Sequence, residues 1–80
     1  MSKYESLTTY LNLCKNGRVR LSFSELEEIL GFTLPLSARK YKAWWNNKDK
    51  SHSHSKSWGS AGYRVSDVVL ETYVVFEKEV

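Results

Sequence analysis

The length of the chain is the strongest constraint on its fold. A domain of 80 residues hides only roughly 60% of the surface that its unfolded chain exposes, so it holds one core and leaves little room for a deep catalytic cavity. Aromatic residues make up 14% of the sequence, and their large rings help so small a core to bury enough apolar area. We therefore expect one ordered domain over residues 1–80 and not a disordered chain.

The cysteine content and the hydropathy pattern favour a cytoplasmic protein. Cys14 is the single cysteine, so it makes no internal disulfide. No apolar run is long enough for a signal-peptide core or a membrane span. Because no histidine or basic cluster is close to it in sequence, Cys14 is expected to be a small buried hydrophobe and not a reactive thiol.

Positive charge is concentrated in the middle of the chain. The net charge is +3, but residues 37–56 carry six basic side chains against one acidic side chain, a net charge of +5. Residues 1–36 carry four of each sign, and residues 57–80 carry two basic and four acidic side chains. This distribution is typical of a surface that faces phosphate groups.

The spacing of apolar residues predicts a helix, a strand and a second helix in the first part of the chain. Apolar side chains recur at three- and four-residue steps over about 3–15, which places them on one side of a helix. Apolar and polar residues alternate over 18–23, the pattern of a short half-buried strand. Ser22 and Glu25 have the spacing of a capping box that starts the second helix, and Gly31 ends that helix.

A third helix is expected from about Pro35 or Ser37 to Trp45 or Asn46. Proline fits its first turn, where the backbone needs no donor. The polar, Ser/His/Lys-rich segment that comes after it has the composition of a solvated loop.

The end of the chain predicts a short helix and a hairpin. Serine residues can cap a helix that runs from about residue 51 or 53 to residue 61, where Gly62 comes next as a stop. Residues 63–70 and 73–76 are rich in β-branched and aromatic side chains and predict two strands. Their spacing places Glu71-Thr72 at the turn between them.

This order of elements resembles the winged helix-turn-helix domain. The resemblance covers nearly the whole chain and implies an α+β fold with three or four helices, a short strand and a C-terminal β-hairpin. It also implies binding to double-stranded DNA, with the second helix of the helix-turn-helix entering the major groove by its N-terminal end. A homodimer is compatible with this function.

Individual residues carry a second resemblance: Leu21-Ser22-Phe23, Glu25, Glu28-Ile29-Leu30-Gly31, Leu34-Pro35, Ser37-Ala38, Trp44-Trp45, Asn47, His52-Ser53, Trp58 and Ala61-Gly62. With these residues the chain is similar to an uncharacterised family of small bacterial and mobile-element domains that has no assigned activity. Members more often carry Gln and Trp where this chain has His54 and Tyr63. The resemblance implies the boundaries of the fold and a role with a plasmid, phage or other mobile element.

On the winged-helix analogy, the third helix and the loop after it contact DNA. Cations displace counterions from phosphates, and amides or planar groups contact sugars and bases. The local charge of +5 favours phosphate contact over simple solvation for these lysines and Arg39. Trp44 and Trp45 are expected to serve the core, although one of them is free to be an exposed contact. The candidate DNA-binding residues are Ser37, Arg39, Lys40, Lys42, Asn46, Asn47, Lys48, Lys50, His52 and Lys56.

Catalytic and metal chemistry are disfavoured by the residue pattern. His52 and His54 lack further ligands, because the only other soft ligand, Cys14, lies in a distant helix. The sequence has no Gly-rich phosphate loop, nucleophile elbow or paired-cysteine site. We expect no cofactor and no enzyme activity.

A second class of function stays open. The chain is alternatively a protein-interaction module, or a homodimer formed through its aromatic face or through hairpin edge strands that offer Val74 and Phe76. Glu71 makes the hairpin tip a poor probe of the negative minor groove, so the hairpin is expected to lie off the DNA or on a partner. Arg20 and Arg64 can still reach backbone phosphates from the strands.

Overall fold

A computed structural model describes residues 3–14, 16–46 and 53–79. Helices and antiparallel strands are both present, so the α+β architecture expected from the sequence is confirmed. The elements in chain order are α1 (Glu5–Leu13), β1 (Arg18–Ser22), α2 (Phe23–Leu30), α3 (Leu36–Lys40), a 3₁₀ helix (Lys42–Trp45), α4 (Ser53–Ser60), β2 (Tyr63–Val69) and β3 (Tyr73–Lys78).

The strands form a three-stranded antiparallel sheet of order β1-β3-β2. The predicted hairpin is therefore confirmed, and the strand between the first two helices joins it along β3. Arg18 on β1 and Arg64 on β2 both lie opposite Glu77 of the central strand. Glu71, in the hairpin turn, has a φ of 59°, a left-handed conformation that is uncommon for a residue other than glycine.

The capping box at the start of α2 is confirmed. The Glu25 amide donates to the Ser22 hydroxyl at 3.0 Å, and the Ser22 amide donates to the Glu25 carboxylate at 2.8 Å. Gly31 ends the helix with a φ of 82°, which glycine adopts without the steric cost that a Cβ carries. Phe23 belongs to this helix, so the alternating pattern predicted as strand ends one residue earlier, at Ser22.

The expectation of one continuous third helix is wrong. α3 ends at Lys40, Tyr41 is extended with φ −124° and ψ 121°, and a 3₁₀ helix comes next. The break turns the indole of Trp45 into the core, where its Nε1 donates to the carbonyl oxygen of Ala38 at 3.0 Å. A buried indole needs such an acceptor, and this tertiary contact outweighs the helical propensity of the segment.

All of the elements contribute to one hydrophobic core. α2 and α4 pack against the sheet, and α1 packs on both of these helices. α4 confirms the predicted short helix before the hairpin. Cys14 is half-buried against this core as a free thiol. Within the described ranges, no helix has the length and apolarity needed to cross a bilayer. The core consists of Tyr4, Leu7, Leu11, Leu21, Phe23, Leu26, Leu30, Leu34, Ala38, Trp45, Trp58, Ala61, Tyr63, Val65, Val68, Val74 and Phe76.

Candidate nucleic-acid interface

Two exposed lysines flank the break between α3 and the 3₁₀ helix. Lys40 is the last residue of α3, and Lys42 is the first residue of the 3₁₀ helix. Both side chains are exposed, and neither forms an ion pair with any carboxylate in the part of the chain that the structure describes. Their charges are therefore available to an external anion. We call Lys40, Tyr41 and Lys42 the basic turn.

The other candidate residues fall into two groups. Ser37 is exposed on α3, Asn46 is exposed directly after the 3₁₀ helix, and Lys56 is exposed on α4. Lys56, like the two lysines of the basic turn, has no ion pair within the described ranges. The predicted sites Asn47, Lys48, Lys50 and His52 lie outside the described residues.

Arg39 differs from the lysines because it is engaged inside the protein. Its Nη2 donates to Oε2 of Glu27 on α2, and its Nη1 lies 3.7 Å from the Glu71 carboxylate in the hairpin turn. Glu27 also accepts a hydrogen bond from the Leu34 amide at 2.8 Å. Arg39 thus joins α2, α3 and the hairpin turn, which makes it a structural residue.

We expect Arg39→Ala to lower the free energy of unfolding by about 1–2 kcal/mol. The Arg39 and Glu27 side chains are 27% and 24% exposed, so their charge-assisted hydrogen bond contributes more than an ordinary surface pair. Urea denaturation followed by far-UV circular dichroism measures the change. Lys40→Ala is the matched control and should stay within about 0.5 kcal/mol of the wild type; equal losses in the two variants would refute the structural role.

The turn of the hairpin contacts both α2 and α3. Besides the pairing of Glu71 with Arg39, the Phe23 amide at the start of α2 donates to the carbonyl oxygen of Thr72 at 3.1 Å. The negative charge of the tip therefore has a cation beside it. No local sequence pattern predicts this contact, because Arg39 and Glu71 belong to distant elements.

Most of the aromatic side chains face inward. Trp45 is 3% exposed and stacks on Trp58, with ring centroids 5.8 Å apart. Trp44 is half-buried and stacks on the His54 imidazole at 3.8 Å with an interplanar angle of 10°. Tyr4 contacts both rings edge-on, at 6.0 and 5.9 Å. The expectation that the tryptophans belong to the core is thus confirmed for Trp45 and, in part, for Trp44.

The edge-strand expectation for the hairpin is wrong for the residues named. Val74 and Phe76 lie on β3, which is the central strand, and each is 0% exposed. β3 pairs with β1 on one side and with β2 on the other, so it has no free edge. Both side chains belong to the hydrophobic core.

Three arginines lie on the strands, and contacts with neighbouring side chains engage each of them. Arg64 donates to the Glu77 carboxylate at 2.9 Å, and Arg18 lies 3.9 Å from the same carboxylate. The guanidinium of Arg20 lies over the Tyr73 ring, 5.3 Å from its centroid. These three arginines therefore already have local partners, in contrast to the lysines of the basic turn. Lys78 at the end of β3 is also exposed and forms no ion pair within the described ranges.

The described ranges contain no group of three or more histidine, cysteine, aspartate or glutamate side chains that could hold a metal ion.

The backbone carbonyl oxygen of Cys14 accepts a hydrogen bond from the Tyr63 hydroxyl at 3.2 Å. This contact joins the end of α1 to the sheet.

Comparison with known proteins gives one family. The family described as "Domain of unknown function (DUF7662)" matches residues 4–80. No curated protein and no solved structure matches the chain.

Proposed function

We propose that this chain, which belongs to the DUF7662 family of domains of unknown function, is a small DNA-binding protein of winged-helix type. The observation that carries the proposal is the basic turn, where two exposed lysines have no carboxylate partner among the described residues while Arg39 nearby is engaged. Such cations displace counterions from phosphates and so favour binding to a polyanion. The protein holds DNA without changing it covalently.

The arrangement of elements supports the winged-helix assignment. The chain runs helix, strand, helix, helix and then, after α4, into a C-terminal hairpin. The first strand joins that hairpin in one antiparallel sheet of order β1-β3-β2, as it does in winged helices. The mobile-element role proposed with it rests on the resemblance to small bacterial and mobile-element domains.

The basic turn and α4 share the recognition role in this proposal. Lys40 and Lys42 contact phosphates, and Ser37 and Asn46, which are exposed a few residues away in the chain, are candidates for hydrogen bonds to DNA. Lys56 adds a cation on α4, which directly precedes the hairpin, the position in chain order of the recognition helix in a winged helix. Glu71 in the hairpin turn pairs with Arg39 of the protein itself. In this proposal the hairpin turn has no direct role in binding the minor groove.

A salt series tests the proposal directly. Binding of the wild-type protein to a fluorescein-labelled duplex is measured by anisotropy from 25 to 300 mM NaCl. The logarithm of the affinity falls by about 0.9 per phosphate contact for each tenfold rise in salt, so contacts by Lys40, Lys42 and Lys56 predict a slope of roughly −3. Absence of binding at the lowest salt, or binding that ignores salt, contradicts the proposal.

Exposed apolar side chains favour a second candidate, a protein-interaction module. Leu36 at the start of α3 is 64% exposed, and Leu13 at the end of α1 is 74% exposed. Docking through such side chains depends little on salt. Sedimentation of the wild type at 10 and 200 µM separates the candidates, because the sedimentation coefficient of a homodimer formed through either side chain rises with concentration in the absence of DNA.

A further inference from the structure

Tyr41 is the most exposed aromatic residue in the part of the chain that the structure describes. Its side chain is 62% exposed, against 36% for Tyr10, the next most exposed. No other aromatic ring and no cation packs on it within the described ranges. Most of the ring surface is therefore available to a ligand.

The backbone holds Tyr41 rigidly although its ring is bare. Its amide donates to the carbonyl oxygen of Ser37 at 3.0 Å, and its own carbonyl oxygen accepts from the Trp44 amide at 3.2 Å. The residue is thus fixed at both peptide groups, between α3 and the 3₁₀ helix. A fixed backbone reduces the conformational entropy that is lost when a ligand covers the ring.

The charges around Tyr41 distinguish it from the other exposed tyrosine. Lys40 and Lys42 are its neighbours in the chain, and both are exposed and unpaired within the described ranges. Tyr10, in contrast, lies close to Glu25 and Cys14, and burial together with these two neighbours raises the pKa of its phenol. A polyanion is attracted to the surroundings of Tyr41 and not to those of Tyr10.

We propose that Tyr41 stacks on an unpaired DNA base while Lys40 and Lys42 hold the phosphates on either side of it. The inference rests on the proposed function and specifies the form of DNA bound. In a closed duplex both faces of a base are covered by its neighbours, so a protein ring reaches a base face only where the base is unstacked. Cationic residues interleaved with an aromatic ring are the usual means of binding single strands.

The test compares Tyr41→Ala with Tyr41→Phe on a labelled single strand and on the duplex of the same sequence, at fixed salt. We expect the wild type to bind the single strand more tightly than the duplex. Tyr41→Ala should weaken binding to the single strand about tenfold and change duplex binding less than twofold. Tyr41→Phe keeps the ring and should bind like the wild type.

Tyr10→Ala is the matched control, because it removes the other exposed tyrosine and should leave binding unchanged. Far-UV circular dichroism confirms that each variant is folded. If Tyr41→Ala binds the single strand as the wild type does, stacking is refuted while salt-sensitive duplex binding still supports the proposed function. If the wild type binds neither form of DNA, both the inference and the proposed function fail.

Discussion

Trp45→Ala should lower the free energy of unfolding by about 3–5 kcal/mol. Trp45 is 3% exposed, packs on Trp58 and on Phe23, and donates from its indole nitrogen to the carbonyl oxygen of Ala38. Truncation leaves a cavity and an unsatisfied buried carbonyl. A domain of this length has a total stability of about 4–12 kcal/mol, so the substitution removes at least about a quarter of it.

Trp44→Ala is the natural control for this prediction. Trp44 is the adjacent tryptophan but is half-buried, so we expect a loss of about 1–2 kcal/mol. Urea denaturation monitored by circular dichroism gives both values. Equal losses in Trp44→Ala and Trp45→Ala would contradict the deeper burial of Trp45 as the reason for the larger cost.

The double variant Lys40→Ala/Lys42→Ala should bind duplex DNA about 50-fold more weakly at 0.1 M salt. Each lost phosphate contact removes about 0.9 from the slope of log affinity against log salt, so the slope should change by roughly 1.8. Both side chains are exposed and lack ion pairs in the described ranges, so stability should change by less than about 0.5 kcal/mol. Anisotropy titrations across the salt series measure both quantities.

Arg18→Ala/Arg20→Ala is the charge-matched control. It removes the same number of cations at the same spacing, but from β1, where Arg18 lies beside Glu77 and Arg20 covers Tyr73. A loss of net charge alone would weaken both double variants equally. We expect the β1 variant to lose less than about fivefold, as the contribution of long-range attraction only. Equal losses in the two double variants would mean that DNA binding depends on net charge alone and not on the basic turn.

Local chemistry made parts of the fold predictable. The capping box of α2 needs only Ser22 and Glu25 at the correct spacing, and Gly31 ends the same helix through its own backbone freedom. The strands of the hairpin are predictable from side-chain types in a row. Each of these signals acts within a few residues, so the local sequence contains all of the information that it needs.

Contacts between residues that are distant in sequence explain the features that were not predicted. The third helix breaks at Tyr41, and Trp45 then packs on Trp58 of α4, a partner that residues 35–46 alone do not indicate. Arg39 was predicted to contact phosphate because its neighbours are basic. The structure pairs it with Glu27 and Glu71, which are distant in sequence.

The exposure of Tyr41 also depended on that break. In a continuous helix Tyr41 would lie on the same side as Trp44 and Trp45, three and four residues on. The alternation of lysine, tyrosine and lysine was visible in the sequence. Basic residues interleaved with aromatic ones already indicate nucleic-acid binding, and the structure adds that the backbone is extended at Tyr41 and that its side chain is exposed.

Chemical-shift mapping tests the central claim, DNA binding at the basic turn, most directly. Short duplex DNA is titrated into ¹⁵N-labelled wild-type protein at low salt, and the backbone amide shifts are recorded at each step. We predict the largest shifts at Lys40, Tyr41 and Lys42 and around Lys56, with the amides of Arg18 and Arg64 nearly unmoved. Shifts centred on the strands, or no shifts at equimolar DNA, would contradict the account.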